Sequence, residues 1–114
     1  MTVHDPRKLR DRLTEISAQL PFEVASRSMM GGFSGYADGR PFVSLSTGGF
    51  GIKLLPQDQA RALTRRGAER MRHSPVGPAS KSYIVFAERD IADDDFLVEW
   101  LVLAANTAPG PKPR

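Results

Sequence analysis

Apolar residues recur at helical spacing near both ends of the chain and at strand spacing between them. Leu9, Leu13, Ile16 and Leu20 fall at three- and four-residue steps, the stripe of an amphipathic helix. Asp5-Pro6 predicts its start, because aspartate accepts a bond from a free backbone N–H and proline suits the first turn. Pro21 predicts its end, since it cannot donate the next hydrogen bond. From Phe22 to Leu55 the spacing changes to short extended runs broken by glycine. Asp38-Gly39 supplies the positive-φ pair of a tight hairpin turn. Ser46-Thr47-Gly48-Gly49 marks a second turn, after which Phe50, Ile52 and Leu54 alternate with Gly49, Gly51 and Lys53. That period of two sets three apolar residues on one sheet face and the lysine on the other. The expectation is an antiparallel meander of three or four strands, its apolar face covered by Leu13 and Trp100.

Pro56 and Asp58 open a second helix through Ala60 and Leu63, with Gly67 as its stop. A short strand fits around Arg70 to Arg72, and His73 to Lys81 reads as a loop from its proline, glycine and serine content. Ser82 to Ala87 is apolar enough for a strand with both faces covered. Asp93-Asp94-Asp95 introduces a third helix, Phe96 to about Thr107. Its Phe96, Leu97, Trp100, Leu101, Leu103 and Ala104 form a broad face for the sheet. Residues 108–114 alternate proline with glycine and basic residues, the composition of a disordered tail. The order α-β-β-β-α-β-α, with room for one extra short strand, predicts a single α+β domain over 1–107 with helices packed on an antiparallel sheet.

Composition narrows the chemistry. The 114 residues suit one domain. The absence of cysteine excludes disulfides, a thiolate nucleophile and cysteine-ligated metal. The N-terminal residues carry His4, Asp5 and several basic groups where a signal peptide would be apolar. The longest apolar segment, Trp100 to Ala105, is far short of the ~20 residues that cross a bilayer. A cytoplasmic location without membrane contact is expected. A formal net charge of +3 permits nucleic acid or acidic partners without requiring them.

Each candidate motif has a plainer reading. Gly31-Gly32-Phe33-Ser34-Gly35 fits neither dinucleotide nor P-loop spacing, and Tyr36 stands where a nucleophile elbow needs glycine. These glycines read as a bulge or close backbone approach in a bent strand. Asp93-Asp94-Asp95 lacks the spaced ligands of a calcium loop and reads as helix capping. The two histidines, His4 and His73, have no metal-ligand spacing and complete no catalytic triad. No catalytic residues, metal or cofactor are expected. Lys53 to Lys81 holds seven basic residues against two acidic, and Glu88 to Glu99 six acidic against one basic. A nucleic acid could follow Arg61, Arg65, Arg66, Arg70 and Arg72, or the two segments could satisfy one another within the fold. No aromatic residue lies between Leu54 and Ser82 to stack a base, which weakens the nucleic-acid reading.

The run Arg27-Ser28-Met29-Met30-Gly31-Gly32-Phe33, then Tyr36-Ala37-Asp38-Gly39-Arg40-Pro41-Phe42, resembles the opening signature of the TfoX N-terminal domain family. Met30 stands where the family more often has phenylalanine. Phe50-Gly51-Ile52-Lys53-Leu54, Gly67-Ala68-Glu69, Ser82-Tyr83-Ile84-Val85 and Trp100 extend the likeness over about residues 7–108. The resemblance implies a small α+β fold similar to secretion-chaperone-like and YjbR-like domains. It also implies a regulatory role linked to competence or transcription, in a stand-alone member without the family's second domain. It carries over no catalytic residues. Arg27 and Lys53 flank apolar strands in the matching motif and, if they converge, could hold a carboxylate or phosphate. The expected function is therefore a non-catalytic regulatory or adaptor protein working through protein–protein contact. Its candidate surface is Arg27, Gly31, Gly32, Tyr36 and Lys53, and an edge strand would also invite homodimer pairing.

Overall fold

The computed structural model describes residues 4–72 and 76–107. Helix α1 (Pro6–Ser17) begins as its sequence dictates: the Asp5 carboxylate accepts the Arg7 N–H at 3.0 Å and Pro6 takes the first turn. It ends well before Pro21. The Ser17 hydroxyl donates to the Thr14 carbonyl, and the Gln19 and Leu20 N–H groups close tight turns onto Ile16 and Ser17. These local bonds end the helix before proline can.

Four strands then meander: β1 (Val24–Met29), β2 (Gly32–Ala37), β3 (Arg40–Ser46) and β4 (Gly49–Lys53). Asp38 (φ 48°) and Gly39 (φ 84°) make the β2–β3 turn with both residues at positive φ, as the Asp-Gly pair requires. Within β3 a bulge leaves Phe42 without a partner, because Val43 pairs Gly35 while Pro41 pairs Tyr36. Phe42 and Val43 are both fully buried, so the bulge delivers two adjacent side chains to the core.

After β4 come α2 (Pro56–Ala62), β5 (Glu69–Arg70), β6 (Tyr83–Val85), α3 (Glu88–Ile91) and α4 (Asp94–Thr107). The sheet is antiparallel throughout and six-stranded, in the order β1-β2-β3-β4-β6-β5. The α+β class and the antiparallel sheet agree with the sequence, as does the interior position of β6. The meander takes the larger of the two expected strand counts, the short strand allowed near Arg70 is the two-residue β5, and the one-turn α3 is added. Helix α2 stops at Ala62 rather than Gly67, because the Thr64 N–H and hydroxyl both turn back onto the Arg61 carbonyl. Helix α4 is capped by Asp93, whose carboxylate accepts the Phe96 N–H at 3.2 Å. Residues 73–75 of the expected loop and the expected tail, 108–114, lie outside the described residues.

Both long helices lie on one face of the sheet. Leu13 and Ile16 from α1 and Leu97, Trp100, Leu101 and Ala104 from α4 meet Val43, Leu45, Phe50, Ile52 and Ile84 in one core. Burying side chains of this size stabilises the fold by roughly 1.5–3 kcal/mol each. Gln59, buried on α2, ties the sheet's far side together. Its amide nitrogen donates to the carbonyls of Leu54 and Lys81, and its oxygen accepts from Arg70. Arg12 joins the first element to the last, donating to the Ile91 carbonyl and to Asp94.

Candidate functional site

Residues paired directly across antiparallel strands project from the same face, so the registers sort the sheet's side chains. Phe33, Leu45, Phe50, Ile52 and Ile84 point toward the helices. Arg27, Ser34 and Ser44 form one row on the opposite face, and Tyr36 with Pro41 and Lys53 with Tyr83 form the next. The sequence-predicted residues Arg27, Tyr36 and Lys53 thus converge on the face that α1 and α4 leave open.

Each cation there rests on an aromatic ring. The Arg27 guanidinium carbon lies 5.6 Å from the Tyr36 ring centre, and Lys53 Nζ lies 5.8 Å from that of Tyr83. Burial pushes the Tyr83 phenol above its ordinary value and neighbouring Tyr36 adds to the rise, so Tyr83 stays a neutral hydrogen-bond donor at physiological pH. Neither Arg27 nor Lys53 has a carboxylate partner among the described residues. The arrangement offers two cations, two aromatic rings and the Ser34 and Ser44 hydroxyls on one surface. Such a surface can hold carboxylates or phosphates beside an apolar contact.

Gly31 lies in the β1–β2 turn, and Gly32 opens β2 opposite Met29, roughly 13 Å along the strand from Tyr36 at about 3.3 Å per residue. A side chain on Gly32 would collide with the Leu45 carbonyl, so the close approach of β2 and β3 by itself requires glycine here. Two further residues join the surface. On sequence alone Tyr83 could line such a site or pack in the core, and its pairing with Lys53 turns it outward. Met29 points to the same face as Arg27 and is 58% exposed, next to the fully exposed Met30. Two consecutive methionines at a hairpin tip were the available signal.

The far part of the open face is crossed by the chain leaving β5. A side chain on Gly51 would strike the Met71 sulfur, and one on Gly48 the Arg72 carbonyl. Gly48 and Gly51 therefore admit this strap, which the alternation of Phe50, Ile52 and Leu54 did not reveal.

Most of the alternative basic residues are already engaged within the fold. Arg61 lies 4.7 Å over the Trp100 ring and 3.9 Å from Asp58. Arg65 lies 4.3 Å over Phe96 and donates to both Asp90 oxygens, at 3.2 and 2.7 Å. Arg70 bonds Gln59 and Arg72 bonds the Gly77 carbonyl, while the Arg66 carbonyl accepts from Arg89. The Arg65 hydrogen bond holds the Asp90 carboxyl below the usual carboxylate range against the opposing effect of burial, and raises Arg65 in turn. One ion pair, Arg65 with Asp90, joins the basic and acidic segments, while Arg61 pairs with Asp58 inside its own segment.

Among the described residues no serine or threonine hydroxyl is bonded to a histidine or carboxylate, and no three acidic or histidine side chains group as a metal site. No described helix is long and apolar enough to cross a membrane. Comparison of the chain with family profiles, curated proteins and solved structures found no match.

Proposed function

We propose that this chain is a non-catalytic regulatory or adaptor protein, and that the open sheet face is where it meets a protein partner. The observation that carries the reading is the pairing of two cations with two tyrosine rings on the uncovered face, with no carboxylate within ion-pair distance of either. Exposed Met29 and Met30 extend the surface with apolar area that tolerates varied partners. Tyrosine, arginine and methionine are the residue types enriched at protein interfaces. A partner segment carrying aspartate or glutamate beside an apolar residue fits this chemistry. The resemblance of residues 27–42 to TfoX N-terminal domains supports a regulatory role linked to competence or transcription.

The test is a capture from native cytoplasm, with and without nuclease, using the parent chain and Arg27→Ala and Lys53→Ala. The expected result is a protein that survives nuclease, is retained by the parent and is lost with both variants while their thermal midpoints stay near the parent's. Retention by both variants, or unfolding of both, would overturn the site. Capture lost on nuclease treatment would transfer the surface to nucleic acid, whose affinity should fall steeply with salt.

A further inference from the structure

A second site lies on the helix side, independent of the open face. Where α1 passes over the ends of β4 and β6, a cavity of about 400 Å³ opens between α1 and α3. Its volume lies at the lower end of the roughly 300–1,000 Å³ typical of small-molecule sites. Leu9, Phe50, Val85, Phe86 and Ile91 give it an apolar lining, and Phe50, Val85 and Phe86 belong to the buried core. Such a lining favours an apolar body that displaces water.

The polar groups at its rim divide into those already used and those that are not. Asp5 caps α1 through the Arg7 N–H. Arg12 is taken up by the Ile91 carbonyl, Glu15 and Asp94. Lys8 on α1 and Glu88 on α3 also line the cavity, yet neither makes an ion pair or side-chain hydrogen bond among the described residues. One unspent ammonium and one unspent carboxylate thus stand on two different walls of an apolar cavity. His4, its N–H fixed to the Thr47 carbonyl at 3.1 Å, closes the rim beside Gly49.

We propose that this cavity binds a free α-amino acid with a bulky apolar side chain. The side chain enters the apolar lining, the α-carboxylate meets Lys8 and the α-ammonium meets Glu88. A ligand of single charge would leave one rim group without a partner, which is how such a site discriminates.

The test titrates the whole chain with L-phenylalanine and L-leucine, following backbone amide resonances. Phenylpropionate, which lacks the ammonium, and phenethylamine, which lacks the carboxylate, are the controls. Saturable binding is expected, with shifts concentrated at Leu9, Val85 and Ile91 and affinity at least about tenfold weaker for either control. Lys8→Met should bring L-phenylalanine down to the level of phenethylamine, and Glu88→Gln should bring it down to that of phenylpropionate. Both positions are exposed, so these variants should fold. No saturation into the millimolar range, shifts centred elsewhere, or controls binding as tightly as the amino acid would each overturn the proposal.

Discussion

On the helix-covered side of the molecule, the most fully bonded arginines grip carboxylates, Arg65 while also lying over Phe96; on the open side of the sheet, the cations lie on tyrosine rings with no carboxylate in ion-pair reach. Arg12 and Arg65 belong to the first kind, Arg27 and Lys53 to the second. The difference is one of remaining capacity. A guanidinium spread over a carboxylate and a carbonyl has few donors left, whereas one lying on a ring keeps its N–H groups available at a cost to the fold of only about 0.5–1 kcal/mol if removed. Charge counted along the sequence points to the arginines of residues 61–72, yet Arg61 and Arg65 there are paired with Asp58 and Asp90, whereas Arg27 and Lys53 on the sheet have no carboxylate partner.

The contrast can be broken most severely from the covered side. Ile52→Ala, which empties a fully buried position under the helices, should cost about 2–5 kcal/mol in denaturant unfolding while leaving Arg27 and Lys53 in place. A partner that still binds the folded fraction with parental affinity would show that the two faces act separately. A loss below about 1 kcal/mol would mean that the core is not where the registers put it.

An intermediate effect is expected at Asp90. Asp90→Asn removes the charge that Arg65 grips and should cost about 1–3 kcal/mol at neutral pH. Because Arg65 holds this carboxyl below the unfolded value of about 3.9, its stabilisation is complete above that pH and disappears as pH falls through the folded-state value. The parent should therefore lose more stability than the variant between about pH 5 and strong acid. Equal slopes in the two unfolding curves would show that Arg65 is as free as the cations of the open face.

The smallest effects belong to the open face itself. Arg27→Ala and Lys53→Ala should each change stability by less than about 1 kcal/mol, measured by thermal unfolding. Their consequence should appear in partner capture. A large stability loss from either would erase the distinction between spent and available cations.

Much of this was legible from residue order. Asp5-Pro6, Asp38-Gly39 and the alternation through Phe50, Ile52 and Leu54 are local signals with short-range causes, and each produced the expected element. Alternation also placed Lys53 opposite the core, which brought Arg27, Tyr36 and Lys53 onto one surface. What stayed hidden depends on contacts distant in sequence. Gly51 looks like one more small residue until Met71 lies against it, and Tyr83 fits core or surface until its partner is known to be Lys53. The one-turn α3 is too short to display a period. Gln59 gives no local sign that it will donate to the carbonyls of Leu54 and Lys81 while accepting from the Arg70 side chain.

The bond from Arg12 to Ile91 spans 79 positions, and α1 shares its core with α4. During synthesis at about 5–20 residues per second, the first helix waits several seconds for the surface that will hold it. Until α4 emerges, Phe42, Val43 and Leu45 lack the apolar cover of the finished protein. The nascent meander is then a sticky, half-clothed sheet, and the stretch from Asp94 onward works as a closure that ends its exposure to chaperones and to other copies of itself.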